Sequence, residues 1–195
     1  MNNYDKIRIL LDEKGIITTQ NVEKKGIPRW FLSKMVKQGE LKKISRGIYT
    51  DEDGFYDEYF VFQNHHKSSV FSYENALYFH DLTDKIPSFI EVTVYQGYNV
   101  HRFPENTIVH YVKKEIHRLG VTTIKSPFGN LINVYNIERC ICDLVKSRKF
   151  IESEVFKKAL QAYMKREHKD LHKLFEYAKV MGIESDMYNI MEILS

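Results

Sequence analysis

Glycines at positions 15, 26, 39 and 47 divide the first fifty residues into three short amphipathic segments and a hairpin-sized remainder, a spacing that narrows the fold sharply. Asn3 caps a first helix running through Leu11, in which Ile7, Leu10 and Leu11 make an apolar face at 3–4 spacing. Gly15 ends it. Thr18 or Thr19 opens a second short helix, Gln20 to Lys25, which Gly26 terminates. Pro28 suits the first turn of a third helix reaching about Gln38, where Gly39 stops it. Two short helices around a glycine-containing turn form a helix-turn-helix.

At about 100° per residue the third helix sorts its side chains onto two faces. Arg29, Trp30, Ser33, Lys34 and Lys37 share one; Phe31, Leu32, Met35 and Val36 share the other. The second face packs on the preceding helices. The first offers cations, a hydroxyl and an indole in a shape that fits the major groove of duplex DNA. Glu40 to Ile44 and Ile48 to Thr50 then read as a hairpin around Gly47, although their strand alternation is imperfect. Lys42, Lys43 and Arg46 line this wing, where they reach phosphates or the minor groove. Thr18 and Thr19, opening the second helix, complete the expected DNA-facing set. A lysine-bearing helix face is ordinarily only solvated surface. Here a second basic element follows it, and Trp30 stays ambiguous because an indole at the edge of a face also covers core.

Charge supports the same division. The chain of 195 residues carries a net charge of +3, but residues 1–50 hold +6 and the rest −3. A small basic module joined to an acidic partner domain is the pattern of a DNA-binding unit attached to something else. The N-terminus is polar, and no apolar run approaches the roughly 20 residues of a membrane span. Cys140 and Cys142 stand two apart on a predicted helix and cannot pair without breaking it. A reduced, cytoplasmic chain without cofactor or membrane partner is the expectation.

Asp51-Glu52-Asp53-Gly54 marks the expected seam, giving a winged helix-turn-helix over 1–54 and a mixed α/β domain over 55–195. In the second part, Tyr56 to His66 reads as helix. Ser72 caps another helix, with Asn75 where a capping box prefers Glu or Gln. Strands follow at 89–95, 107–112, 121–124 and 131–135, then helices at 137–146, 153–165 and 171–181 and a last amphipathic one ending at Leu194. The class is α+β.

Ordered motifs along the chain resemble the AbiEi-type antitoxins. Gly39-Glu40-Leu41 with Arg46-Gly47-Ile48-Tyr49 is similar to their wing. Ser72-Tyr73-Glu74-Asn75-Ala76-Leu77, His80-Asp81-Leu82-Thr83 and Ile86-Pro87 resemble the start of their second domain. Glu138-Arg139-Cys140-Ile141-Cys142-Asp143-Leu144 is similar to their Glu-Arg-x-x-x-Asp-Leu helix. The resemblance implies a type IV, abortive-infection toxin–antitoxin operon of phage defence. Its antitoxin represses its own promoter at inverted repeats and counters a nucleotidyltransferase toxin, usually without a stable complex. Glu138, Arg139 and Asp143 carry the motif, either as a functional cluster or as a pair orienting the helix.

Other chemistry is sparse. His168 and His172 have the i,i+4 spacing of zinc ligands but lack a third ligand, so no metal site is expected. Asp84 and Glu91 flank a strand as in metal-dependent nucleases, yet Glu91-Val92-Thr93-Val94 lacks the accompanying lysine. No phosphate-binding glycine loop or nucleophile elbow is present. A non-enzymatic regulator is expected. A plain regulator whose second domain binds a small ligand remains the alternative, favoured by any deep apolar pocket there.

Overall fold

Helix α1 (Asn3–Asp12) begins at a capping box one residue earlier than the sequence suggests: Asn2 Oδ1 accepts from Asp5 N, while the Asp5 carboxylate accepts from Asn2 N. Asn3 is already inside the first turn, because the acidic residue that completes the box stands three after Asn2. The computed structural model describes residues 2–13, 15–51 and 56–194. The expected seam therefore lies, from Glu52 to Gly54, outside the described residues.

After α1 come β1 (Ile17–Thr18), α2 (Thr19–Lys24), α3 (Trp30–Lys37), β2 (Lys42–Ser45), β3 (Ile48–Thr50) and α4 (Glu58–His65). Thr18 caps α2 in a second box, with Asn21 at the third position. The strands form an antiparallel sheet in the order β1-β3-β2. Its register shifts between Lys43 and Ser45, a bulge that explains the imperfect alternation of that hairpin in the sequence. Ile7, Leu11, Ile17, Val22, Ile27, Leu32, Met35, Leu41 and Tyr49 make one core.

The chain divides into two compact units, residues 1–65 with 125–132, and residues 66–124 with 133–195. Within the first, Asp57 is fully buried. It accepts from Phe60 N at the start of α4, from Ser126 Oγ and from Asn130 Nδ2, so its charge is fully hydrogen-bonded.

The remaining elements are β4 (Val70–Phe71), α5 (Tyr73–Phe79), β5 (Ile90–Tyr95), β6 (Thr107–Val112), α6 (Lys114–Arg118), β7 (Val121–Lys125), β8 (Leu131–Tyr135), α7 (Ile137–Lys146), a 3-10 turn (Arg148–Phe150), α8 (Ser153–Lys165), α9 (Leu171–Val180) and α10 (Glu184–Leu194). Their sheet runs β6-β5-β4-β8-β7. β4 is antiparallel to β5 and parallel to β8, and β5 is parallel to β6. α7 packs against α5, α8, α9 and α10, and every residue from Glu138 to Val145 is buried.

Two caps differ from expectation. Ser72 precedes α5, but its Oγ accepts from Thr93 Oγ1 rather than from the helix; the Glu91 carboxylate, reaching from β5, accepts from Glu74 N instead. Asn75 does not close a capping box. Its Nδ2 donates to Phe89 O and its Oδ1 accepts from Glu91 N, fastening α5 to the strand. Both bonds join residues 14 or more apart in sequence, so local spacing carries no sign of them.

Candidate nucleic-acid interface

α3 turns Leu32 and Met35 into the first unit's core, with Phe31 and Val36 half-buried against it. That packing leaves Trp30, Ser33, Lys34 and Lys37, with Arg29 just before the helix, exposed on the opposite side. The helix is short and begins without a side-chain cap, so tertiary burial of its apolar face sustains it.

The exposed groups differ in freedom. Arg29 donates from Nε to the Glu23 carboxylate of α2. That hydrogen bond holds the Glu23 carboxyl below the usual range and raises Arg29 further. Both groups remain exposed, so the pair is a positioning contact in water rather than a strong tether. Trp30 is 55% exposed and stacks on Phe31 at 3.8 Å between ring centroids. Lys34 leans its ammonium over the Tyr4 ring at 5.5 Å. Tyr4 in turn meets Phe31 edge-on at 5.1 Å. Among the described residues no ion pair engages Lys37, Lys42, Lys43 or Arg46.

Lys42 and Lys43 are exposed on β2, and Arg46 is exposed at the turn to β3. Gly47 forms that turn at φ +76, and its carbonyl accepts from Thr19 N at 2.9 Å. The turn and the start of α2 are thus joined by backbone. Thr18 is engaged internally: its Oγ1 accepts from Asn21 N and donates to Asn21 Oδ1. Thr19 stands beside Gly47, where a Cβ would come within 3.0 Å of its Oγ1. Arg8, a further exposed cation, donates to Glu40 at 2.7 Å. Glu23 and Tyr4, which hold Arg29 and Lys34, act between helices, where spacing within one helix gives no signal.

In the second unit, Arg139 is fully buried and pairs through Nε with Asp143 Oδ1 at 3.0 Å. Its Nη1 donates to the carbonyls of Ile116 and Leu119, and its guanidinium lies 4.1 Å over the Tyr135 ring. Burial pushes the Asp143 carboxyl up, and the adjacent guanidinium opposes that rise. Glu138 accepts from Asp170 N before α9. These contacts brace α7. Cys140 and Cys142 are buried and free, and burial raises both thiols, Cys142 to about 12.

His172 is on α9 and 3.8 Å from Glu176, whereas His168 lies outside any helix, so the two do not share a helical face. No group of three or more potential metal ligands occurs among the described residues. Asp84 is exposed, and Glu91 already binds Glu74 N and His110 Nε2. Among the described residues no helix is long and apolar enough to cross a membrane.

Three helices packed around a small antiparallel sheet, with a cationic third helix, define a helix-turn-helix type of module. Residues 5–50 match the family described as "Transcriptional regulator, AbiEi antitoxin". The match spans less than half of the chain. No match was found among curated proteins.

Proposed function

We propose that this chain is the antitoxin and transcriptional autorepressor of a type IV, abortive-infection operon. The first module acts as a winged helix-turn-helix on inverted repeats in its own promoter. α3 enters the major groove, presenting Arg29, Trp30, Ser33, Lys34 and Lys37. The β2–β3 hairpin is the wing, with Lys42, Lys43 and Arg46 on phosphates or the minor groove. One observation carries the reading: within a segment that matches a regulator family, Lys34 and Lys37 on the outer side of α3 and Lys42, Lys43 and Arg46 on the hairpin after it stand exposed without an ion pair among the described residues.

Replacing Lys34 and Lys37 together with Ala is expected to abolish a gel shift on the upstream region. Losing Lys42, Lys43 or Arg46 singly is expected to lower the salt slope of binding by about one each. Unchanged binding by the Lys34/Lys37 variant would refute the groove assignment.

The second unit supplies the antitoxin activity, countering a nucleotidyltransferase toxin without a stable complex and without catalysis of its own. Resemblance of the Ser72–Leu77 and Glu138–Leu144 motifs supports this. The Lys34/Lys37 variant, defective in DNA binding, is expected still to relieve growth arrest by a neighbouring nucleotidyltransferase gene. If toxicity persists at equal antitoxin abundance, the separation of the two roles fails.

A further inference from the structure

In the second unit, residues of α5, β5, β6, α7 and α8 and of the loops beside them enclose a cavity of about 320 Å³, a size that suits a small ligand. Tyr73, Phe89 and Phe150 give it rings. Glu74, Glu91 and Glu152 give it carboxylates, opposed by the single cation of Lys85. Phe89 and Phe150 are 53% and 91% exposed, aromatic surface left facing water. Tyr73 holds φ +47, a left-handed backbone that a bulky residue adopts only when its surroundings enforce it. Its ring stacks on His110 at 3.8 Å, and its hydroxyl meets Ser147 Oγ at 3.2 Å.

Aromatic faces beside carboxylates attract alkylammonium groups. The chain itself supplies one: Lys85 Nζ lies 3.3 Å from Glu74 and 3.8 Å from Glu152. Glu91 forms a second anionic pole. It is 9% exposed, and its two hydrogen bonds come from Glu74 N and His110 Nε2. The apolar side chains of Leu77 and Ile108 line the same cavity.

We propose that this cavity binds a linear alkyl diamine. One ammonium replaces Lys85 at Glu74 and Glu152, the other is directed at Glu91, and the methylenes lie against the rings. Lys85 is then a tethered stand-in that the ligand displaces. The site is independent of the DNA reading, since a variant unable to bind DNA would still take the diamine.

Calorimetric titration of the full chain with 1,5-diaminopentane at fixed ionic strength tests this. Lys85→Ala removes the internal competitor and is expected to tighten binding about two- to fivefold, the worth of exposed ion pairs no longer displaced. Glu152→Gln, at an exposed position that does not endanger the fold, is expected to weaken it by a similar factor. Pentylamine, with one ammonium, is expected to bind more weakly than the diamine. The proposal is overturned if neither the native chain nor Lys85→Ala binds, if Lys85→Ala leaves affinity unchanged or lowered, or if the two amines are indistinguishable.

Discussion

Arg29 and Lys37 are both exposed cations on one helix face, yet their neighbours make them unequal. Arg29 is held by Glu23, and the DNA must compete with that carboxylate for the guanidinium. Lys37 has no such rival among the described residues. Glu23→Gln is therefore expected to tighten DNA binding at low salt, by freeing Arg29 and removing an anion beside the groove-facing surface. A gel shift at two ionic strengths checks this, and weaker binding by the variant would count against it. Trp30 provides a second reading at this scale. It is the only tryptophan in the chain, it is half-exposed, and it sits on the proposed contact face. Duplex DNA is expected to change its emission at saturation. An indole that only covers Phe31 would leave the spectrum unaltered.

Elements differ in how plainly the sequence announced them. α3 was legible because glycines bounded it and its two faces separated cleanly. α7 was legible to the residue, the expected range 137–146 being the observed one; its cap, Asn136, is seen only in the structure. The strands at β5 and β6 were visible from their β-branched residues. Their parallel pairing was not, because strand order is set by contacts distant in sequence. β4, two residues long, and α6, five residues long, fell below any useful period. Arg139 was legible in part: i,i+4 spacing suggested its pair with Asp143 as one that orients the helix, whereas the Ile116 and Leu119 carbonyls it also binds come from elsewhere in the chain. Arg139→Ala is expected to destabilise the fold by about 3–5 kcal/mol, because it strands a buried carboxylate. Replacing the pair together by Met and Leu should lose less, and urea unfolding of both variants decides the matter. Gly47 gives the corresponding test in the hairpin. At φ +76 an alanine costs about 1–2 kcal/mol, and its Cβ would press on Thr19 Oγ1. Its thermal midpoint should fall while that of Gly26→Ala, where a Cβ meets open space, falls less.

At the scale of the whole molecule, acid acts on the two units unequally. His80 and His117 both belong to the second unit, and burial lowers both below the ordinary value of 6.5. Each donates from Nε2 as a neutral ring, His80 to the Tyr135 carbonyl at 2.7 Å and His117 to the Ser68 carbonyl at 2.9 Å. A histidine with a depressed folded pKa binds fewer protons folded than unfolded. Its stabilising contribution is therefore present above 6.5 and is lost as pH falls from there through the folded value. No histidine occurs in residues 1–64, and His65 at the end of α4 is exposed. Trp30 emission reports the first unit alone, while far-ultraviolet circular dichroism reports helices of both. Between pH 7.5 and 5.5 the dichroism midpoint in urea is expected to fall further than the Trp30 midpoint. Replacing His80 and His117 by Gln should flatten the pH dependence of the dichroism transition, and leave that of Trp30 as it was. If both probes move together in the native chain, the acid sensitivity does not reside in the second unit's buried imidazoles.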